Sequence, residues 1–574
     1  KYCNSLTSYS RWNTREVKIG DVALGANNPI RIQSMTTTDT MDTASTVAQS
    51  IRMIEAGCEY VRITAPSRRE AENLLNIKNE LNRQGYKTPL IADIHFTPNA
   101  AEIAARIVEK VRINPGNFAD RKKFNYIEYT DQQYNNEIDR IRNRFLPLIK
   151  VCKEYGTAMR IGTNHGSLSD RILSRYGDTP LGMVESALEF LRICKDENYN
   201  EIVLSMKSSN PIVMVEAYRL LVNRMEAEEM NYPLHLGVTE AGEGEDGRIK
   251  SSLGIGTLLE DGLGDTIRVS LTEDPEFEIP VAKILVDRYS DRGEHQHIKA
   301  LDTNKLNPFE YNKRDTSEIF NIGGNNVPRV VADLSSIDSI NPETLSQLCY
   351  TYFKDDDKWG ISDFACDFIF IGEKNIDFQI PGTLGVFQDY SSWIKDKNER
   401  HYPVLRMEDF ENDLELDSNL NILKTTISDL DEDFINKLKA SSNIVLLIDT
   451  SNMHGMSEQR RLFVDLLDSN CKTPVLIGRS YQDLSEEFLQ LYSATDLGGL
   501  FVDGLGDGIF INAQKSVKLD AINRLAFGIL QASRTRISKT EYISCPSCGR
   551  TLFDLQETTA LIRSKTQHLK GLKI

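Results

Sequence analysis

The chain has 574 residues, enough for two to four domains, and with 40% hydrophobic and 26% charged residues its composition is typical of globular protein. A formal net charge of −17 argues against a nucleic-acid-binding protein, which normally carries a basic face. No stretch is apolar over the ~18 residues that a membrane helix needs, and the polar residues 1–12 do not resemble a secretory signal.

Alternating strand and helix patterns run from about residue 30 to residue 272. The eight predicted strands span residues 30–35, 60–64, 90–96, 111–115, 158–162, 201–207, 234–239 and 266–271. Segments of helical periodicity lie between them, for example at 45–56, 71–83 and 181–195. Eight βα units over about 250 residues predict a TIM barrel. An open doubly wound sheet is the alternative, although that fold more often shows fewer strands and a glycine-rich fingerprint after its first strand.

Charged side chains fall at the C-terminal ends of these predicted strands, where a TIM barrel builds its active site. The basic residues at these ends are Arg62, Arg112, Arg160, Lys207 and Arg268. Two carboxylates, Asp93 and Glu240, accompany them. Because buried cations need partners, five of them in an acidic protein predict a multiply charged anionic ligand. Arginine binds phosphate through paired hydrogen bonds, so a phosphate or diphosphate is the expected ligand.

Other polar residues share these strand ends. They are Asn114, Asn164, Ser270 and the histidines His95 and His165. Glu240 is a candidate acid or orienting group near the reacting carbon, with a simple charge partner for the arginines as the alternative. Each histidine is as consistent with a structural hydrogen bond as with catalysis.

A second region, residues 293–530, again alternates strand and helix patterns. Strand patterns lie at 327–334, 368–372, 443–449 and 474–478, and a helix pattern lies at 457–467. The run Asp261-Gly-Leu-Gly-Asp265 of the first region recurs as Asp503-Gly-Leu-Gly-Asp507. The repeat predicts a second, barrel-like α/β domain, with chance similarity as the alternative. Because its predicted strand ends carry few cations, chiefly Arg406 and Arg479, we expect this domain to be catalytically empty.

Nine cysteines are present, of which seven are scattered and two form Cys545-Pro-Ser-Cys548. The odd, unpatterned set predicts a reducing compartment rather than a disulfide framework. For the pair alone, a redox disulfide, half a zinc site, half an iron–sulfur site and chance remain open. The sequence has no second pair of this spacing, which weakens zinc, and no βαβ unit opens here, which weakens the redox disulfide. Two thiolates joined by a third from elsewhere suit an iron–sulfur cluster.

Eight runs and the cysteine pair together resemble the 4-hydroxy-3-methylbut-2-enyl diphosphate synthase family. The runs are PIRIQSMT at 29–36, YVRIT at 60–64, ADIHF at 92–96, VRINPG at 111–116, RIGTNHGSL at 160–168, SMKSS at 205–209, LGVTEAG at 236–242 and GDTIRVS at 264–270. The middle region resembles the insert of the family's large form. The resemblance therefore implies a substrate-binding TIM barrel at 1–292, a barrel-like insert at 293–530 and the start of an α+β iron–sulfur domain at 531–574.

The resemblance also implies a reaction, a cofactor and partners. The substrate would be 2-C-methyl-D-erythritol 2,4-cyclodiphosphate of the methylerythritol phosphate pathway, opened and dehydroxylated by two electrons that pass through a 4Fe-4S cluster. Reduced ferredoxin or flavodoxin would donate the electrons, and a homodimer is plausible. Neither nucleic acid nor a membrane is an expected partner. We expect a bacterial cytoplasmic protein, with the plastid stroma as the alternative.

The resemblance assigns roles to residues by their matching positions. The diphosphate would be held by Arg62, Arg112, Arg160, Asn164, Lys207, Arg268 and Ser270, with Asp93, His95, Asn114 and His165 beside it. Glu240 would lie near the departing oxygen, and Cys545 and Cys548 would bind the cluster. The family's third cysteine and its glutamate ligand are expected beyond Ile574, so the chain as given is expected to bind the diphosphate but to hold the cluster poorly.

Two other interpretations compete with the reductive synthase. One is a different phosphate-binding barrel enzyme, such as a transferase resembling a pterin synthase, in which the cysteine pair is structural. The other is a non-catalytic scaffold that binds zinc through the C-terminal segment. Iron–sulfur absorption would favour the first interpretation, activity without the cysteines the second, and bound zinc without turnover the third.

Overall fold

The computed structural model describes residues 1–119, 128–301, 305–412, 414–513, 516–544, 555–566, 568–569 and 571–574. These residues belong to two compact units. The first unit comprises Lys1–Asn4, Ser10–Ser290 and Tyr542–Thr566, and the second comprises Ser5–Tyr9, Asp291–Glu541 and Gln567–Ile574. The division into three domains at residues 292 and 530 stays a prediction.

The first unit contains a parallel eight-stranded barrel. Its strands are β1 (Val17–Ile19), β2 (Val22–Leu24), β3 (Arg31–Met35), β4 (Tyr60–Thr64), β5 (Leu90–Asp93), β6 (Lys110–Ile113), β7 (Ala158–Asn164), β8 (Ile202–Lys207), β9 (His235–Leu236) and β10 (Thr266–Ile267). The sheet order is β8-β7-β6-β5-β4-β3-β10-β9, and a parallel bridge between Leu204 and Leu234 closes it. All eight strands that the sequence predicts are present, so the predicted TIM barrel is confirmed.

Helices follow the barrel strands of this unit and begin at recognisable sequence signals. They are α1 (Thr43–Glu55), α2 (Arg68–Arg83), α3 (Pro98–Ala105), α4 (Pro115–Phe118), α5 (Asp131–Tyr155), α6 (Asp170–Tyr176), α7 (Pro180–Asp196), α8 (Pro211–Ala227), α9 (Gly244–Glu260) and α10 (Pro275–Asp287). Proline opens five of them, where its missing N–H costs no hydrogen bond. The long α5 begins with a capping box between Thr130 and Gln133 and ends at the left-handed Gly156.

The hairpin of β1 and β2 closes the N-terminal end of this barrel. Its buried side chains form one apolar cluster with the first inward-facing residues of the barrel strands, namely Val17, Ile19, Leu24, Tyr60, Ile91, Ala158 and Val203. The Tyr60 hydroxyl donates to the Val22 carbonyl at 2.8 Å, which ties hairpin to barrel. Polar residues of the lumen therefore lie above this layer, toward the C-terminal strand ends.

The second unit contains a closed parallel barrel and a small hairpin. Its strands are β11 (Arg329–Asp333), β12 (Tyr350–Phe353), β13 (Lys358–Ile361), β14 (Phe368–Phe370), β15 (Gly385–Asp389), β16 (His401–Leu405), β17 (Asn421–Thr425), β18 (Ile444–Ile448), β19 (Val475–Ser480) and β20 (Gly508–Asn512). Antiparallel β12 and β13 stand apart, and the other eight close the barrel in chain order. The predicted barrel-like fold is confirmed, although the sequence patterns identify only β11, β14, β18 and β19.

Helices connect the strands of the second barrel, and one more helix belongs to the first unit. They are α11 (Pro342–Ser346), α12 (Tyr390–Trp393), α13 (Met407–Glu411), α14 (Glu432–Ala440), α15 (Gly455–Asp468), α16 (Glu486–Asp496), α17 (Gly498–Val502), α18 (Leu519–Ala532) and, in the first unit, α19 (Leu555–Thr566). The predicted helix at 457–467 lies within α15.

Aromatic and aliphatic side chains fill the lumen of the second barrel. Phe368 and Phe387 stack with ring centroids 4.5 Å apart, and Phe370 meets Phe510 edge to face. These rings belong to one buried apolar cluster with Val331, Tyr402 and other residues of the barrel strands. Charged side chains stand at the strand ends above this cluster, among them the buried Asp333 and also Lys424, whose Nζ lies 4.7 Å from the centroid of the Phe370 ring. The expectation that this barrel is catalytically empty stays a prediction.

The repeated Asp-Gly-Leu-Gly-Asp run occupies the same place in both barrels. Asp265 precedes β10, and its carboxylate accepts from the Leu234 N–H and the Thr14 hydroxyl, each at 2.9 Å. Asp507 precedes β20 and accepts from the first N–H of β19 at 2.9 Å and from the Thr316 hydroxyl at 3.0 Å. The match extends to contacts that the repeat alone does not specify, which argues against chance similarity.

The first aspartate of the run is matched in the same way. Asp261 accepts from Arg219 Nε at 2.8 Å, and Asp503 accepts from Arg460 Nε at 2.9 Å. All four side chains are almost completely buried. Each barrel therefore fixes the connection before its last strand with the same two carboxylates.

Replacing Asp507 with alanine should lower the free energy of unfolding by about 1–3 kcal/mol, because a buried N–H and a buried hydroxyl lose their acceptor. Urea denaturation measures this change. In the matched variant Asp520→Ala, the lost carboxylate is 44% exposed and pairs with Arg524, so a change below about 0.5 kcal/mol is expected. Equal losses in the two variants would contradict a structural role for the repeat.

Candidate active site

Five basic side chains converge inside the first barrel at its C-terminal end. They are Arg62 from β4, Arg112 from β6, Arg160 from β7, Lys207 from β8 and Arg268 just after β10. None is more than 7% exposed. Burial lowers the pKa of Lys207, and the other four cations lie close enough to lower it further, so the structure brings together all five predicted cations.

Asp93 holds two of these cations. Its carboxylate pairs with Arg62 and lies 3.0 Å from Arg112 Nη1, and His95 Nε2 is 3.7 Å away. Burial alone would raise the pKa of Asp93, but Arg62, His95 and Arg112 hold it well below its ordinary value. Asp93 is therefore ionised and organises one side of the site.

Arg268 pairs with a carboxylate that does not lie at a strand end. Glu278 on α10 lies 3.3 Å from Arg268 Nε and accepts from the Leu271 N–H at 2.9 Å and the Ser34 hydroxyl at 2.6 Å. Glu278 lies in the first turn of the helix that follows the last strand, so only the folded barrel reveals its position.

Arg160 and Lys207 have no carboxylate partner among the described residues. Burial lowers the pKa of each group well below its ordinary value, and the neighbouring arginines lower it further. An anion bound at the mouth would favour the charged forms of both groups and so offset the burial and the repulsion from the neighbouring arginines. These two cations are therefore the ones that a bound anion stabilises most.

Two glycines make room for the cations. A Cβ atom at Gly162 would lie 2.7 Å from Arg112 Nε, and one at Gly237 would lie 2.9 Å from Lys207 Nζ. Both distances are too short for a side chain. The close approach of backbone to these cations therefore requires glycine at both positions.

Asn164 and Ser270 lie at the same mouth as the cations. The Asn164 amide oxygen accepts from Arg112 Nη2 at 3.3 Å, and Ser270 is 3% exposed. Asn114 and His165 are engaged elsewhere. Asn114 caps α4 and donates to the Ser167 hydroxyl at 2.7 Å, and His165 Nε2 lies 3.1 Å from Asp178. Ligand contacts of all four stay predictions.

Glu240 stands in the loop after β9 with an unusual backbone. It is exposed, and its φ of 54° lies in the left-handed region that non-glycine residues rarely adopt. Strained residues of this kind concentrate at functional sites, where the surrounding structure fixes them. The geometry thus presents a carboxylate at the mouth of the barrel.

The segment just before the cysteine pair touches the same mouth. The Ser544 hydroxyl lies 2.8 Å from the Thr272 hydroxyl, in the loop after β10. From α19, Arg563 pairs with Glu243 at 2.8 Å. Cys545 and Cys548 themselves lie outside the described residues. Within the described part of the chain, no three His, Cys, Asp or Glu side chains gather as a metal site would require.

Two buried basic residues below the mouth are not among the site residues predicted from the sequence. Lys110, at the start of β6, and His235, at the start of β9, are both inaccessible to solvent. Both residues lie at the start of a strand and not at its C-terminal end. Each nevertheless lies two positions before a residue that lines the lumen, and so on the same face of its strand. The alternation of strand side chains could therefore have found them.

No described helix is long and apolar enough to cross a membrane.

Comparison with known proteins gives consistent matches. Residues 14–283 match the family model described as the GcpE TIM-barrel domain. The chain is 50% identical to the 4-hydroxy-3-methylbut-2-en-1-yl diphosphate synthase (flavodoxin) of Parabacteroides distasonis, over 99% of this chain and 89% of that protein. Proteins of the same name from Phocaeicola vulgatus and Bacteroides thetaiotaomicron are 48% and 47% identical, with the same shares covered.

Replacing Arg160 or Lys207 with alanine should weaken the binding of inorganic diphosphate by at least about tenfold, because each charge-assisted bond contributes roughly 1.5–3 kcal/mol. Titration calorimetry measures the affinity. The matched variant is Arg479→Ala, which removes a buried arginine from a strand end of the second barrel and should bind like the parent protein. Unchanged affinity in both first-barrel variants would rule out this site.

Proposed function

Because the chain belongs to the 4-hydroxy-3-methylbut-2-en-1-yl diphosphate synthase (flavodoxin) family, we propose that it reduces 2-C-methyl-D-erythritol 2,4-cyclodiphosphate to 4-hydroxy-3-methylbut-2-enyl diphosphate. It is an oxidoreductase of the methylerythritol phosphate pathway of isoprenoid biosynthesis, with flavodoxin as electron donor. Of the two donors expected from the sequence, the names of its relatives favour flavodoxin over ferredoxin. Family membership also argues against the transferase and the zinc scaffold.

The observation that carries the proposal is the set of five buried cations at one barrel mouth. Asp93 and Glu278 pair with three of them, and Arg160 and Lys207 are left to bind an anion. A cyclic diphosphate presents two negative phosphates close together, which suits two such cations side by side. The arginines anchor the diphosphate, and the rest of the substrate faces the exposed side of the mouth.

The reaction needs two electrons and one proton. A ring C–O bond breaks, the electrons form the new double bond, and a hydroxyl takes the proton and leaves as water. Glu240, held at the mouth by its left-handed backbone, is the proposed proton donor or orienting group at that oxygen. Asp93 does not serve as the acid, because the arginines keep it ionised.

We further propose that Cys545 and Cys548 bind a 4Fe-4S cluster. Two thiolates separated by two residues fit neighbouring ligand positions of such a cluster. Ser544, which directly precedes Cys545 in the sequence, forms a hydrogen bond with Thr272 at the barrel mouth. When bound, the cluster supplies electrons one at a time. A homodimer and a cytoplasmic location stay predictions.

The variant Glu240→Gln should keep its Michaelis constant within about threefold and lose at least about a hundredfold in turnover, because the amide cannot supply a proton. An anaerobic assay with reduced flavodoxin measures both. The matched variant is Glu229→Gln, at another exposed glutamate with a left-handed backbone (φ 56°), and it should turn over like the parent. Parent-like turnover in Glu240→Gln would remove this residue from the mechanism.

In the full-length natural protein, serine at both Cys545 and Cys548 should abolish iron binding while leaving cyclodiphosphate binding intact, because the anion site is separate from the thiolates. Iron counting after anaerobic reconstitution and calorimetry with the substrate measure the two properties. The matched variant Cys471→Ser, at a buried cysteine of the second barrel, should bind iron like the parent. Full iron content in the double variant would show that other residues bind the metal.

A further inference from the structure

Lys110 lies in the barrel lumen one layer below the five cations. It stands two residues before Arg112 on the same face of β6, and it is inaccessible to solvent. Its Nζ lies 4.9 Å from the centroid of the Tyr60 ring, which belongs to the apolar layer at the bottom. Among the described residues, no acceptor lies within hydrogen-bonding distance of this amine.

The lumen around Lys110 contains more cations than carboxylates. The inward-facing titratable groups on the other strands are Tyr60 and Arg62 of β4, Asp93 of β5, Arg160 of β7, Lys207 of β8, His235 of β9 and Arg268 after β10, and Arg112 lies above Lys110 on β6 itself. Neutral polar side chains, among them Gln33 of β3 and Ser205 of β8, face inward as well. Asp93 is already engaged by Arg62 and Arg112. A charged Lys110 would thus add an unpaired cation to a group that already repels itself.

The charge on Lys110 depends on what occupies the mouth above it. Burial lowers the pKa of its amine well below the ordinary value, and Arg160 and Arg62 lower it further. An anion bound at the mouth opposes the field of these two arginines, so it makes protonation of Lys110 less costly. Occupancy of the mouth and the charge of Lys110 are therefore coupled.

We propose that Lys110 is a proton site linked to the diphosphate pocket: its amine is neutral in the free enzyme and takes up one proton when the anion binds. The inference rests on the proposed function, because it requires an anionic ligand in that pocket. It also fits the chemistry of turnover. Adding two electrons and one proton and losing water turns the dianionic substrate into a trianion, and a protonated Lys110 offsets part of that charge.

The coupling between anion binding and protonation of Lys110 determines the direction in which the affinity for the anion changes with pH. The bound enzyme holds more protons than the free enzyme at pH values between the two pKa values of Lys110. Within that interval affinity should fall as pH rises, by up to tenfold per pH unit. The ligand does not contribute, because each phosphate of the cyclic diphosphate has a single acidic oxygen that is ionised far below neutral pH.

Calorimetric titration with 2-C-methyl-D-erythritol 2,4-cyclodiphosphate, in buffers that differ in ionisation enthalpy, counts the protons taken up per ligand. The parent protein should take up as much as one proton per ligand at some pH below the ordinary range of lysine titration. Lys110→Met should bind the ligand without uptake and with an affinity independent of pH. The matched variant Lys78→Met, at a partly exposed lysine paired with Glu109, should behave like the parent.

The outcomes separate the inference from the proposed function. If the parent does not bind the ligand, the proposed function is wrong. If the parent binds without proton uptake, the linkage alone is wrong. His235→Gln should keep the uptake. Uptake that persists in Lys110→Met would overturn the inference: its loss in His235→Gln would assign the proton to His235, and its persistence in both variants would assign it to Lys207, whose pKa is lowered by burial and by the same arginines. The free Lys110→Met protein should melt no lower than the parent, and a clear drop would contradict a neutral, unpartnered amine.

Discussion

The charges in the first barrel depend on the carboxylate of Asp93. This residue is completely buried, and Arg62 and Arg112 both pair with it. Removing one member of such a buried set leaves an uncompensated charge, which is far more costly than losing a surface ion pair. Asp93 thus offsets the cost of burying two guanidinium groups in the barrel. Among the described residues, no carboxylate pairs with Arg160 or Lys207, and the proposed anion site depends on that imbalance.

The two barrels share a scaffold but differ in what fills the lumen. Both fix the connection before the last strand with a pair of buried aspartates. Above this shared frame, the first barrel points arginine and lysine inward, and the second points phenylalanine inward. Two barrels of one scaffold with such different lumens fit the rule that ligand specificity lies in the side chains and not in the fold.

Much of the first barrel and its site could be predicted from sequence, because its strands carry continuous β-rich runs and its cations fall at their ends. The second barrel was harder to predict. Pro403 lies within β16, and Gly385 and Gly508 begin β15 and β20, so these strands carry residues typical of turns. Glu278 could not be predicted from the strand ends, because it lies on a helix and approaches Arg268 only in the folded barrel.

The contrast between the lumens has a consequence for the lifetime of the protein in the cell. The first barrel buries mutually repelling cations that a bound anion would neutralise, whereas the lumen of the second holds a cluster of buried apolar side chains. A ligand that binds the folded state alone stabilises it by mass action. The ligand-free enzyme should therefore be the form that proteases degrade first, so the abundance of the enzyme would follow the supply of its substrate.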